Sequence, residues 1–120
     1  MTISLASVTV VTHFQVHDGK LEDFKAGCNE LVKLTSNENK CVFMDVAFDG
    51  HRCISHERYT DASGVMDHLQ NVRTVMEKNM KLADLKGVEL YSTADELDKL
   101  RAPLGVFNPD FYVVDFRSER

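Results

Sequence analysis

Glu57 and His68 are the residues of this chain whose types and spacing could together do chemistry. The segment ERYTD (57–61) indicates the end of a strand and the start of a helix, and His68 follows Asp61 by seven residues. Thr60 or Asp61 is a suitable N-cap, which would place His68 two turns into that helix. A carboxylate from a strand and an imidazole from a helix could then share one side of a sheet. At a cavity, such a pair can transfer protons without a cofactor.

Length and composition indicate one ordinary domain covering residues 1–120. Hydrophobic residues make up 43% of the chain, which is enough to fill a core. The formal net charge is −5, from 14 Lys and Arg against 19 Asp and Glu, and no block of basic residues is present. We therefore expect no nucleic acid and no membrane among its partners.

The cysteines and the first residues bear on the compartment. Cys28, Cys41 and Cys53 are odd in number and widely spaced, so they form neither a disulfide framework nor a CxxC metal motif. Reduced cysteines are typical of an intracellular protein. The N-terminal segment lacks the basic region of a signal peptide, and no stretch approaches the ~20 apolar residues of a membrane span. The sequence predicts a cytoplasmic protein.

Hydrophobic periodicity predicts the order of strands and helices. Alternating apolar residues indicate strands, and apolar residues at a spacing near 3.6 indicate helices. Asp-Gly pairs at 18–19 and 49–50 predict turns, the second of them a hairpin. The predicted strands are 7–16, 41–48, 53–59, 85–91 and 111–116, and the predicted helices are 21–35, 62–82 and 94–100, the last ended by Pro103 and Gly105.

The order β-α-β-β-α-β is that of the ferredoxin-like α+β fold, an antiparallel sheet with its helices on one face. The other face would be bare, yet the first two strands carry apolar residues at both parities. An apolar sheet face of this size has to be covered. We therefore predict a homodimer that packs face to face as a dimeric α+β barrel. The strand 111–116 could be exchanged with the partner to cap its sheet edge.

Two further histidines lie on strands that neighbour each other in this fold. His13 and His56 could be metal ligands, but no third ligand is apparent, and we predict no metal site. His13 and Phe14 could instead line a cavity between sheet and helices. Tyr59 could donate a hydrogen bond in that cavity or pack against it.

The chain resembles the antibiotic biosynthesis monooxygenase-like family of dimeric α+β barrel proteins. The resemblance lies in HFQVHDGKLEDFK (13–25), HERYTDASGVMDHLQN (56–71) and VELYSTADELDKL (88–100). In that family an acidic residue and an aromatic residue on the third strand precede an acidic helix start and a histidine. The residues of this chain that match in order and spacing are Glu57, Tyr59, Asp61 and His68.

The resemblance implies a cofactor-independent monooxygenase acting on a small aromatic, phenolic or quinol-like substrate. Haem-degrading relatives use a tryptophan and a late-helix histidine; this chain has no Trp and no histidine at 75–78, so we expect no haem. His68 would be the base and Glu57 its partner, with His13, Phe14, His56 and Tyr59 as substrate-binding lining. The alternatives are a small-molecule isomerase that uses the same base and a non-catalytic ligand-binding or stress-related module.

Overall fold

A computed structural model describes residues 5–118, and its five strands and three helices follow the predicted order. None of the helices in this part of the chain has the length and apolarity needed to cross a membrane. The elements are β1 (Val8–Val16), α1 (Leu21–Thr35), β2 (Cys41–Asp49), β3 (Arg52–Tyr59), α2 (Ala62–Met80), β4 (Ala83–Ser92), α3 (Ala94–Leu104), a 3₁₀ turn (Gly105–Phe107) and β5 (Asp110–Val113).

The strands form one sheet in the order β2-β3-β1-β4-β5. The central strand β1 pairs antiparallel with β3 on one side and with β4 on the other, and β2 pairs antiparallel with β3. This is the ferredoxin-like α+β fold that the element order predicts. The tight turn between β2 and β3 uses Gly50, whose φ of 60° is a conformation that glycine adopts without strain.

The last strand adds a parallel edge to the sheet. Asp110–Val113 pairs with β4 in the register Glu89 to Asp110 and Ser92 to Val113. The strand is thus shorter than the predicted 111–116, and within the chain it covers the edge of its own sheet. Its exchange with a partner chain stays a prediction.

Side-chain caps fix where the second and third helices begin. Asp61 accepts a hydrogen bond from the backbone N–H of Gly64 at 3.0 Å, and Thr93 accepts one from the N–H of Glu96 at 3.3 Å. Each cap satisfies an N–H that the helix itself leaves unpaired, which is worth about 1 kcal/mol. Of the two predicted caps for α2, Asp61 is therefore the one used.

The predicted end of the third helix was wrong. α3 continues to Leu104, with Pro103 inside its last turn. Proline at this position removes one backbone hydrogen bond to the preceding turn, and the helix ends one residue later at Leu104. α2 in turn ends at Met80, and β4 begins at Ala83, so the two boundaries shift together.

The helices pack on one face of the sheet. Val8 and Val10 of β1 are buried there with Val65 of α2 and Leu97 of α3. Because successive strand residues point to opposite faces, Thr9, Val11 and His13 of β1 lie on the other face. That face carries exposed apolar side chains, including Ile54 at 42% exposure and Tyr112 at 49%.

Candidate active site

A largely apolar cavity lies between the sheet and the helices α1 and α2, with a volume of about 110 Å³. Its polar side chains are few, and four of them lie near one another on β3 and α2. The apolar wall includes Phe14, Phe24, Leu69, Val72 and Met76, and the four polar residues are Ser55, Glu57, Tyr59 and His68.

Glu57 and His68 meet at this cavity, as the sequence predicts. Oε1 of Glu57 lies 3.2 Å from Nε2 of His68, and each side chain is only 8% exposed. β3 brings Ser55, Glu57 and Tyr59 to one face because they alternate along the strand. The Asp61 cap sets the start of α2, and two turns later His68 points back toward that face.

Three groups surround the Glu57 carboxylate. The Tyr59 hydroxyl donates to Oε1 at 2.5 Å, and the Ser55 hydroxyl donates to Oε2 at 3.1 Å. Burial, and next the negative charge of Glu57, raise the pKa of Tyr59 well above its ordinary value, so Tyr59 remains a hydrogen-bond donor. A carboxylate has about four acceptor positions. With Tyr59, Ser55 and His68 around Glu57, about one acceptor position is left for a molecule in the cavity.

Glu38 is a part of this site that sequence reasoning missed. It lies in the loop between α1 and β2, and its Oε2 is 2.9 Å from Nδ1 of His68. Asn71 donates from Nδ2 to the same carboxylate at 2.8 Å and to the backbone oxygen of Leu34 at 3.1 Å. No local pattern signals this contact, since the loop is polar and Glu38 is 30 residues from His68.

The two carboxylates also act on a nearby cysteine. Burial, followed by the charges of Glu38 and Glu57, raises the pKa of the Cys41 thiol to about 11. Cys41 is therefore a neutral thiol at neutral pH and adds no charge to the site.

Phe14 and Tyr59 line the cavity as predicted, whereas His13 and His56 do not. The positions of these two histidines alternate with those of Phe14 and Glu57, so they point to the opposite face. Their role in substrate binding stays a prediction. There, His13 Nε2 lies 3.4 Å from an oxygen of Glu89, and the His56 ring meets the Phe43 ring edge-on at 5.2 Å.

The site does not gather metal ligands. Within residues 5–118, no three His, Cys, Asp or Glu side chains are placed so that they could hold a metal ion. Glu38 and Glu57 approach different nitrogens of the His68 ring, so their oxygens do not converge on a common point.

Comparison with solved structures shows which proteins share this fold. The structure resembles SnoaB, a cofactor-independent oxygenase from Streptomyces nogalater, with a TM-score of 0.64 and 15% identity over 74% of this chain and 94% of that one. It resembles an antibiotic biosynthesis monooxygenase with a TM-score of 0.61 and 14% identity over 69% of this chain and 92% of that one. These likenesses concern the fold.

A nearer likeness is to MupZ from Pseudomonas fluorescens, with 31% identity and a TM-score of 0.90 over 95% of this chain and 94% of that one. The chain belongs to the antibiotic biosynthesis monooxygenase-like family, the family that its sequence resembles. No family model matches the sequence, and no curated protein matches it.

Proposed function

We propose that this protein is a cofactor-independent monooxygenase that acts on a small phenolic or quinol-like substrate. The observation that carries the proposal is the buried Glu57 carboxylate, held by Tyr59 and His68 beside an apolar cavity. The membership of the chain in a monooxygenase-like family supports the same reading.

The sequence prediction made His68 the base and Glu57 its partner. Both ring nitrogens of His68 face carboxylate oxygens, at 2.9 Å and 3.2 Å. We therefore assign the contact with the substrate to Glu57, with His68 beside it as the group that shares its proton. Glu57 takes the phenolic proton, and the substrate is left as an electron-rich anion.

The substrate itself supplies the electrons in this scheme. The anion transfers one electron to O2, and the resulting radical and superoxide combine to a peroxide at the ring carbon. The peroxide takes one proton from Glu57, and loss of the C–H proton from the same ring carbon breaks the O–O bond. One oxygen atom stays on the substrate as a carbonyl, and the other leaves as water with these two protons. The substrate is oxidised by the four electrons that reduce O2, so no flavin or metal is required. The apolar wall keeps bulk water away from the anion.

The size of the cavity restricts the substrate. A volume of about 110 Å³ is below the ~150 Å³ of an engineered apolar cavity that binds benzene. A substrate with one aromatic ring therefore fits with small side-chain movements, for which Met44, Met76 and Met80 provide flexible walls. Naphthols and anthrones are larger and require the cavity to open further.

The experiment is oxygen uptake by metal-free and flavin-free protein with one-ring quinols, naphthols and anthrones. We expect uptake with one-ring quinols and a loss of about 10²-fold or more in Glu57→Gln. Glu89→Gln is the matched control, because Glu89 lies on the opposite face, and it should retain the wild-type rate. Equal rates for Glu57→Gln and wild type would mean that the substrate autoxidises and would reject the role of Glu57.

A second candidate is an isomerase that moves a proton within its substrate. The 2.5 Å contact between Tyr59 and Glu57 favours it, because it puts a donor and an acceptor side by side. Turnover that continues without O2 would support the isomerase. Binding of a ligand by wild-type protein, with no turnover under either atmosphere, would instead support a ligand-binding module.

We also propose that the protein is a homodimer that covers the open face of the sheet. The apolar side chains of that face include Ile54 and Tyr112, both substantially exposed, and Phe43, which lies partly buried beside His56. Burial of such a face against a second copy removes apolar surface from water.

A further inference from the structure

Glu38 is buried behind the candidate base rather than in front of it. Its side chain is 8% exposed, yet it does not line the cavity. Both of its oxygens approach Nδ1 of His68, at 2.9 Å and 3.2 Å, and Asn71 holds it from the side. A buried carboxylate is costly unless it is paired in this way.

The hydrogen-bond count around His68 has a direct consequence. An ionised carboxylate only accepts hydrogen bonds, and the His68 ring faces a carboxylate oxygen at each nitrogen. Each of the two contacts, from Nδ1 to Glu38 and from Nε2 to Glu57, therefore needs one proton between its nitrogen and its oxygen. Glu38 holds the first on Nδ1, which leaves the second between Nε2 and Oε1 of Glu57.

We propose that Glu38 is a positioning residue that, through Nδ1 of His68, keeps the imidazole doubly protonated and Glu57 ready to accept the substrate proton. The part of this proposal that concerns the substrate proton rests on the proposed function, whereas the effect of Glu38 on the His68 ring does not. Asn71 supports this role by fixing the Glu38 carboxylate.

Charge explains why the second carboxylate matters. Two carboxylates and one imidazolium carry a net charge of −1, whereas Glu57 and the imidazolium without Glu38 carry none. A nearby negative charge favours the protonated form of an acid, so Glu38 makes Glu57 the stronger proton acceptor.

The other ionisable groups near Glu38, His68 and Glu57 leave the net charge of the site unchanged at neutral pH. Tyr59 on β3 and Cys41 on β2 are neutral, since the pKa of each is raised. At the start of α2, Lys40 and Asp61 lie 3.7 Å apart and offset each other.

The first test uses the free protein and needs no substrate. The His68 ring is followed by ¹⁵N NMR as a function of pH in wild type, in Glu38→Gln and in Glu30→Gln. Glu30 is an exposed carboxylate of α1 and serves as the control. We expect the ring of Glu38→Gln to lose its second proton at a lower pH than the wild-type ring, because the negative charge of a neighbouring carboxylate favours the charged form of the imidazole. Coincident curves for wild type and Glu38→Gln would overturn the proposal.

Asn71→Ala keeps the proposal testable if Glu38→Gln fails to fold. It leaves the carboxylate in place but removes one of its donors. We expect a smaller movement of the His68 curve in the same direction, and no movement would count against the proposal.

The second test is the pH profile of kcat/KM once a substrate is found. The acidic limb should move to lower pH in Glu38→Gln, while Glu30→Gln should follow wild type. A purely structural role for Glu38 would lower the rate at every pH without moving the limb. If the His68 curve moves but Glu57→Gln turns over normally, the proposed function fails while the positioning by Glu38 stands.

Discussion

Nε2 of His68 lies 3.2 Å from Oε1 of Glu57, and this contact joins the second helix to the middle of the sheet inside the core. Both residues are almost fully buried. A buried polar pair of this kind stabilises the fold only while both partners are present. Chemistry and stability are thus coupled at this point, and each functional variant there needs a folding control.

If the substrate binds in the cavity, substitutions at two neighbouring residues of β1 should differ in their effect on binding. Phe14→Ala should weaken substrate binding and destabilise the fold by about 3–5 kcal/mol, because it removes a ring that packs against Phe24. His13→Ala, one position earlier but on the other face, should leave the KM unchanged. Steady-state kinetics and urea unfolding measure the two effects. A raised KM in His13→Ala alone would show that the cavity does not bind the substrate.

Cys41 is predicted to react slowly with alkylating reagents at neutral pH. Its thiol pKa of about 11 means that the rate of iodoacetamide labelling should still rise between pH 9 and about 11. Glu38→Gln should move this curve to lower pH, since the charge of Glu38 is one cause of the raised pKa. Peptide mass spectrometry separates Cys41 from the two buried cysteines.

The same raised pKa predicts how stability depends on pH. An unfolded cysteine has a pKa of about 8.5, so the folded chain binds the thiol proton more tightly than the unfolded chain does. This contribution is fully present below about pH 8.5 and is lost as the pH rises through about 11. In Cys41→Ser, the free energy of unfolding should fall less over this window than in wild type.

A close approach between α1 and α2 predicts a cost for one glycine substitution. A Cβ on Gly27 would lie 2.1 Å from Oδ1 of Asn79, and Asn79 donates to the backbone oxygen of Phe24 at 3.1 Å. Gly27→Ala must displace this buried amide, and we expect a loss of about 1–3 kcal/mol in the free energy of unfolding, partly offset by the better helix propensity of Ala.

Gly105→Ala is the matched control for that substitution. A Cβ at Gly105 meets no atom within 4 Å, and its φ of −57° suits alanine. Its free energy of unfolding should stay equal or rise slightly. Equal stability of both variants in urea would show that Asn79 adapts at no cost.

The proposed dimer predicts that a charge on the open sheet face separates the subunits. Ile54→Lys places two ammonium groups in a buried contact between copies, so sedimentation should change from dimer to monomer. Val106→Lys is the control, because Val106 is 83% exposed and lies in the 3₁₀ turn outside the sheet face. A monomeric wild type, or a dimeric Ile54→Lys variant, would contradict the proposed interface.

Much of the fold could be predicted because its signals are local. The alternation in β1 and β3 and the spacing of apolar residues in α1 and α2 depend on neighbours only a few residues away. The helix caps at Asp61 and Thr93 are local as well. Element ends were less predictable, since α3 passes through Pro103 and β5 ends at Val113.

Part of the candidate site was predictable for the same reason. Glu57 and Tyr59 share a face of β3 by alternation alone, and the distance from the Asp61 cap sets the position of His68 along α2. Phe14 follows from the pattern of β1. His13 and His56 were expected in the cavity because of their residue type, whereas their parity along the strands places them on the other face.

The sequence by itself determined the order of the elements, the ferredoxin-like plan and the residues that share a strand face, because backbone geometry repeats every two or 3.6 residues. Only the tertiary structure decided that Glu38 reaches His68 from a loop 30 residues away. Loop side chains follow no period, and their partners depend on how the packed elements meet. The charge balance of the site is therefore a property of the folded chain.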